Sequence, residues 1–273
     1  MAKKGVDSPR LQTELLLAHL LKLERMQLYL NFERTLAPPE VDEFRELIRR
    51  RGGREPLQHI VGSTSFCGLE IAVNRHVLTP RPETELLAER GWIFLNERTS
   101  TASPPLAALD FGTGSGCLAI ALASKSPAAQ VYAVEVSAEA MALARQNAAH
   151  HGLTQQIHFF QGDGFASLPT PSSFDLIISN PPYIPTGEIA SLQPEVRDYD
   201  PCAALDGGPE GLDFYRRLAR EAPPFLRPGG RLMLEFGDGQ AESLRGILRE
   251  QKWVVEAVEA DYSHRQRIMI ARR

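Results

Sequence analysis

The sequence predicts an α/β fold: a mostly parallel sheet with helices on both faces, preceded by a small helical domain and a β-hairpin linker. Three observations carry this expectation. From residue 106 onward, apolar strand patterns alternate with helical ones, and that alternation builds parallel strands joined by helical crossovers. Residues 8–55 hold only helix-period patterns. Residues 57–78 change to β-branched and aromatic residues punctuated by glycine. A chain of 273 residues accommodates one large domain or two unequal ones. The expected division is a helical domain over 1–56, a hairpin linker over 57–78 and a sheet domain over 79–273.

In chain order, Leu11, Leu15, Ala18, Leu21 and Leu28 recur at helical spacing. Pro38-Pro39-Glu40 opens a second helix carrying Val41, Phe44, Leu47 and Ile48. Ile60-Val61-Gly62, Ser65–Ile71 and Val73-Asn74 read as the hairpin. Thr79-Pro80-Arg81-Pro82-Glu83-Thr84-Glu85 is extended at its prolines, then enters a helix to about Asn96. Polar loops are expected over 99–105 and 169–173. Strands are expected at 106–110, 130–135, 156–160, 174–179, 230–236, 252–258 and 266–271. Helices are expected at 115–125, 137–151, 210–222 and 239–250.

Composition excludes several classes. Hydrophobic residues make up 43%, enough for a core without disulfide or metal staples. The longest apolar runs fall far short of the ~20 residues of a membrane span, and Met1–Asp7 has no run like that of a secretory signal. Cys67, Cys117 and Cys202 are far apart with no C-x-x-C pair, so neither a zinc site nor a disulfide framework is expected and a reducing cytoplasm is. The seven histidines lack metal-ligand spacing. Net charge is −4 with a pI near 6.0, which gives no general grip on nucleic acid. Residues 1–58 carry 11 basic against 9 acidic residues, and the remainder 19 against 25. The cluster Arg49–Arg54 reads first as a solvated helix end whose cations suit the C-terminal dipole.

The chemistry-bearing residues gather at strand ends. The first sheet strand runs into Asp110-Phe111-Gly112-Thr113-Gly114-Ser115-Gly116-Cys117. Glycines at a strand-to-helix turn let a ligand approach the backbone. The G-x-G-x-G spacing, with Cys117 where the dinucleotide fingerprint needs glycine, argues against NAD or FAD. Glu135 ends the next strand, where an acid accepts from ribose hydroxyls in nucleoside-binding sheets. Asp163 could accept from an adenine amino group, and Gly164 would leave room for the ring. The most specific signal is Asn180-Pro181-Pro182-Tyr183, directly after the strand Phe174–Ile178. Two prolines stop the ladder and hold Asn180 and the Pro181 carbonyl as converging acceptors, which suit a planar NH2 group. Tyr183 offers a flat face beside it.

Taken together, Thr79–Glu85, Asp110-x-Gly-Thr-Gly-Ser-Gly116, Asn180–Tyr183 and Ala204-Leu205-Asp206-Gly207-Gly208-Pro209-Glu210-Gly211-Leu212 resemble the release-factor glutamine methyltransferases, the HemK/PrmC family. The resemblance spans roughly residues 10–273. Asn-Pro-Pro-Tyr is shared with adenine and cytosine amino-methyltransferases, so the Arg81–Glu85 and Ala204–Gly208 stretches discriminate. It implies a Rossmann-like class I methyltransferase sheet whose last strand, near 265–271, is antiparallel. It also implies S-adenosylmethionine as methyl donor. The implied acceptor is the glutamine side-chain amide in the Gly-Gly-Gln loop of class I peptide-chain release factors. The chain departs from the family pattern at Phe111 (usually Leu), at Glu135 (commonly Asp) and at Gly164 (a large aromatic in some relatives).

The implied site is then Gly112, Thr113, Gly114, Ser115, Gly116, Glu135, Asp163, Gly164 and Asn180 for the donor, and Asn180, Pro181, Pro182 and Tyr183 for the acceptor, without metal, general base or covalent nucleophile. Asn180→Asp, keeping an acceptor oxygen, is expected to retain more activity than Asn180→Ala. Two other readings remain open on the residues alone: a nucleic-acid amino-methyltransferase acting on a flipped base, and a non-catalytic nucleoside-binding adaptor.

Overall fold

Proline starts and short leucine-rich turns divide the N-terminal region into α1 (Pro9–Leu21), α2 (Arg25–Leu30), α3 (Pro38–Gly52) and α4 (Leu57–Val61) in a computed structural model of the chain, which describes residues 1–99, 105–169 and 172–273. Parts of the two expected polar loops, 100–104 and 170–171, lie outside the described residues. Leu16, Leu47 and Ile60 form the small core of this region. The expected leucine stripe is displaced: Leu16 is buried, whereas Leu11 is exposed. With leucines at 11, 15, 16, 17, 20 and 21, the neighbours that α1 meets decide which face is apolar.

Ile60-Val61-Gly62, expected to begin the hairpin, is instead the end of α4. Pro56 sits at its N-cap and Gly62 closes it in a left-handed conformation, φ 88°. One turn of helix brings Ile60 onto Leu16 and Leu47, and that packing overrides the β preference of Ile and Val. The hairpin proper pairs β1 (Ser63–Phe66) with β2 (Leu69–Ala72). Its turn residues Cys67 and Gly68 both have positive φ, 52° and 77°, which a two-residue hairpin turn matching strand twist requires. The Glu85 carboxylate accepts from Cys67 N at 2.7 Å.

The remaining strands, β3 (Leu106–Phe111), β4 (Ala129–Glu135), β5 (Ile157–Gln161), β6 (Phe174–Ser179), β7 (Leu226–Glu235), β8 (Val254–Ala260) and β9 (Gln266–Arg272), form, among the described residues, one seven-stranded sheet in the order β5-β4-β3-β6-β7-β9-β8. Strands β3 to β7 are parallel, and β9 runs antiparallel between β7 and β8, as expected for the last strand. Strand β7 starts four residues earlier than expected, because a register irregularity opposite Phe174–Leu176 accommodates Pro228-Gly229-Gly230.

Helices α5 (Pro82–Arg98), α6 (Cys117–Lys125) and α7 (Ala138–His150) cover one face. Helices α9 (Asp213–Glu221) and α10 (Ala241–Glu250) cover the other, and the short α8 (Pro194–Arg197) lies in the connection before α9. Because β3 leads outward to β4 and β5 while β6 leads the opposite way to β7, the chain reverses direction between β3 and β6. Open α/β sheets bind ligands in the crevice at that point, beyond the strands' carboxyl ends.

The Arg49–Arg54 cluster departs from the solvated reading. Arg51 is buried and Arg54 mostly so, and both grip Glu195 of α8, at 2.8 Å and 2.5 Å. These pairs fasten the helical region to the segment that precedes Ala204–Leu212.

Candidate active site

Beyond the carboxyl ends of β3, β4 and β6 lies a cavity of about 300 Å³. Its walls include Gly112–Ser115, Glu135–Ser137 and Ser179–Pro182, together with Arg75–Leu78, Pro80, Arg81, Thr84, Pro201, Ala203, Ala204 and Phe214.

The glycine loop is shaped by left-handed backbone. Gly112 and Gly114 have φ 77° and 56°, and a Cβ on either would enter open space. Their lack of side chain therefore keeps the loop backbone bare. Gly116, φ 83°, has a different reason: its Cβ would crowd Ala144 and Ile120 at 3.2–3.3 Å, so it lets α6 and α7 close together. Asp110 stiffens the loop from below. Its Oδ2 accepts from Thr113 Oγ1 at 2.5 Å and from Ala119 N at 3.1 Å, while its buried Oδ1 has no hydrogen-bond partner among the described residues. Burial pushes its carboxyl up to about 7, against the pull of those two donors. Glu135 stands opposite, accepting from Gly114 N at 2.9 Å on Oε2 and from Ser137 N at 3.0 Å on Oε1. Each oxygen keeps a second lone-pair direction for a ligand hydroxyl. The amide of Asn147 ties the hairpin to this loop, donating to Ala72 O and Ser115 O while accepting from Ala72 N.

Asn180 Nδ2 donates to Thr84 Oγ1 at 3.1 Å, and Thr84 Oγ1 donates to Glu235 Oε2 at 2.7 Å. Among the described residues no donor reaches Asn180 Oδ1, and the residue lines the cavity. Tyr183, expected as a flat face in the cavity, is not among its lining residues. Its hydroxyl turns to Glu235 Oε1 at 3.5 Å, and burial holds that hydroxyl well above the ordinary phenol range. Glu235 is fully buried and its carboxyl is pushed up to about 7, chiefly by burial, with the Thr84 hydroxyl opposing. Sequence reasoning assigned Thr84 and Glu235 no role. A lone acid in Leu232-Met233-Leu234-Glu235-Phe236, on a strand covered on both faces, was the available signal.

The Ala204–Leu212 segment braces Asn180–Tyr183 through backbone contact. Ile184 N donates to Leu205 O, and Gly207 N to Ile184 O. A Cβ on Gly207 would lie 2.8 Å from Pro182 O, and one on Gly211 2.3 Å from Tyr183 O, so both glycines are required by close approach. Arg81 holds Asp200 at 2.8 Å and so draws this connection to the other wall.

Asp163 and Gly164 are not brought to the cavity wall. Arg217 pairs with Asp163 Oδ1 at 2.5 Å. The space over Gly164 is filled, since a Cβ there would meet Arg217 at 2.5 Å and Phe111 at 2.9 Å.

The PrmC N-terminal domain model matches residues 1–62, and the Methyltransferase small domain model matches residues 94–192. The release factor glutamine methyltransferase of Geobacter sulfurreducens is 50% identical over 247 residues, covering 90% of this chain and 84% of that protein. The namesake from Chlorobaculum tepidum is 45% identical over 251 residues, covering 90% and 85%. The chain belongs to the release factor glutamine methyltransferase family. Solved structures agree on the fold of this methyltransferase. A methyltransferase from Pyrococcus furiosus superposes with a TM-score of 0.54 at 22% identity, over 76% of this chain and 90% of that one. The N-terminal domain of human METTL16, solved in complex with SAH, gives 0.54 at 17% identity over 75% of each.

The residues present fit the donor that such an enzyme uses. The bare backbone at Gly112 and Gly114 is a cradle that any side chain would fill, and Glu135 keeps acceptor capacity toward the same cavity.

Proposed function

We propose that this chain methylates the side-chain amide nitrogen of the glutamine in the Gly-Gly-Gln motif of class I peptide-chain release factors, with S-adenosylmethionine as donor, and so modulates translation termination. The observation that carries the reading is the shared cavity. The glycine loop with Glu135 forms one wall, and Asn180 forms the other with its amide oxygen unclaimed. Family membership supplies the substrate class.

When bound, S-adenosylmethionine supplies a methyl carbon activated by a positively charged sulfur. The protein's residues have a different task, because an amide nitrogen is a poor nucleophile whose lone pair is delocalised. Asn180 Oδ1 and the Pro181 carbonyl accept the two N–H bonds of the substrate amide and fix the direction of its lone pair. That is catalysis by orientation. Both oxygens also stabilise positive charge as it develops on nitrogen. Tyr183, a neutral phenol turned toward Glu235, takes no proton. Nitrogen acidifies strongly once alkylated, so its proton leaves to water without a dedicated base.

Gly112–Gly116, Glu135 and Asn180 hold the donor in this reading. Asp163 and Gly164 join them only if the Arg217 pair opens. The helical domain, carried past the expected 1–56 by α4, recognises the body of the release factor, the hairpin β1–β2 links it onward, and residues 79–273 carry transfer. No helix among the described residues is long and apolar enough to cross a membrane, and a translation factor as substrate implies a cytoplasmic enzyme. The test is incubation of the purified protein with labelled S-adenosylmethionine and a purified release factor, followed by mapping of the modified residue. Label on the Gly-Gly-Gln glutamine supports the reading. Label on DNA or RNA alone would replace it with base methylation.

A further inference from the structure

Sequence separation hides the contact that controls Asn180: Thr84 lies 96 residues before it, and Glu235 lies 151 residues beyond Thr84. We propose that the ionised carboxylate of Glu235, acting through the Thr84 hydroxyl, sets which way round the Asn180 amide sits, so that Oδ1 and not Nδ2 meets the substrate nitrogen. This deepens the proposed function and rests on the acceptor role of Asn180. Glu235 is a positioning residue here, because Thr84 stands between it and Asn180.

Donor and acceptor counts fix the amide's orientation. An ionised carboxylate only accepts, and a threonine hydroxyl has a single proton. With that proton committed to Glu235 Oε2 at 2.7 Å, Thr84 Oγ1 can offer Asn180 only a lone pair. An asparagine amide facing a lone pair must present Nδ2, as it does at 3.1 Å. Oδ1 is thereby turned to the cavity, where the substrate brings N–H groups. Protonation of Glu235 reverses the chain. The neutral acid can donate to Thr84, the hydroxyl can then donate to Oδ1, and Nδ2 would face the substrate's own NH2, donor against donor.

The groups around Glu235 allow that equilibrium to matter. Thr84 and Glu83 face it from α5, Tyr183 from the loop after β6, and Arg267 from β9. Tyr215 on α9 donates to the Glu235 backbone carbonyl at 3.1 Å. Burial and Glu83 favour the neutral acid, while Thr84, Arg267 and Tyr183 favour the carboxylate.

Two measurements test the proposal. Side-chain amide NMR of the free protein, with the Asn180 signal assigned by its loss in Asn180→Ala, should show that signal shifting with pH around 7 in the wild type and not in Glu235→Gln. Transfer kinetics should show kcat rising through the same pH range. Thr84→Val should lower kcat about ten-fold, the size of one positioned neutral hydrogen bond, and Glu235→Gln should flatten the pH profile. Thr84→Ser should restore kcat, and the donor Kd should stay within about two-fold throughout. An Asn180 signal indifferent to pH, or wild-type kcat in Thr84→Val, would overturn the relay. A wild type that leaves release factor unmodified would overturn the functional reading instead, and the NMR titration would still decide the relay.

Discussion

The backbone N–H of Gly114 donates to Oε2 of Glu135 across 2.9 Å, so the glycine loop and the acid that we propose hold the donor are one unit. Glu135 also anchors Ser137 N at the start of α7. Glu135→Ala therefore removes a ribose acceptor and releases the loop together. Hydrogen bonds to charged groups are worth roughly 1.5–3 kcal/mol, so donor affinity should fall about ten- to a hundred-fold. Titration calorimetry reads this directly, and an unchanged Kd would exclude Glu135 from the donor site.

At Asn180 the proposed Glu235–Thr84 relay changes one expectation. Asn180→Ala should cut transfer about a hundred- to a thousand-fold, comparable to losing one preorganised hydrogen bond of an oxyanion hole, while donor affinity, carried mainly by the glycine loop and Glu135, falls far less. The sequence alone suggests that Asn180→Asp would keep more activity, since it keeps an oxygen. But Thr84 needs a donor from position 180, and an ionised Asp has none to give. It would also place a second carboxylate across Thr84 from Glu235. Asn180→Asp should then be no better than Asn180→Ala near neutral pH, as steady-state kinetics of the two variants would reveal.

How much of this was legible depends on distance along the chain. The strands of the large sheet were readable because each is a short apolar run bounded by turn residues, and the glycine loop and Asn180–Tyr183 follow directly from strand ends. Helix α4 was not readable, since a single turn rich in β-branched residues exists only by packing on Leu16 and Leu47. Arg51 looked solvated because its partner, Glu195, lies 144 positions away. Glu235 was passed over for the same reason: nothing near it in sequence announces Thr84.

The glycines of the bracing segment make a sharper test of geometry than of chemistry. Gly211→Ala forces a Cβ to within 2.3 Å of Tyr183 O at φ 70°, and Gly207→Ala presses on Pro182 O and Tyr183 Cα. Overpacking of this kind costs about 1–3 kcal/mol, and here it would displace Pro182 and Tyr183, next to the proposed acceptor site. Both variants should lose kcat by more than ten-fold with a lowered Tm. Gly187→Ala, whose Cβ meets nothing within 4 Å, should match wild type in both measurements.

Glu195 joins the helical region to the connection before α9, so under the proposed function its loss should separate substrate recognition from donor binding. Glu195→Ala leaves Arg51 buried without its carboxylate. Removing one partner of a buried pair costs about 3–5 kcal/mol, though Arg51 also contacts Gln12 and the Glu55 carbonyl, so the low end is expected. KM for release factor should rise several-fold while the donor Kd holds. An equal change in both would mean that α3 and α8 do not orient the release factor.

Glu235 makes the last prediction, because a group that serves orientation should weaken the fold. Its carboxyl is raised from 4.5 to about 7 in the folded protein. Between those values the folded state holds the proton more tightly than the unfolded chain, so stability falls as pH climbs and reaches its floor above about 7. At 1.36 kcal/mol per pKa unit the loss is on the order of 3 kcal/mol. Asp110, raised from 3.8 to about 7, slopes the same way and stays in every variant. Glu235→Gln is neutral at all pH and escapes its own share, so it should be more stable than wild type at pH 8 and close to it at pH 4. Urea unfolding at the two pH values measures the difference, and a gap of the same size at both would sink the account. Greater stability at pH 8 with lower kcat, in one variant, is the pattern expected where a buried charge is retained for function.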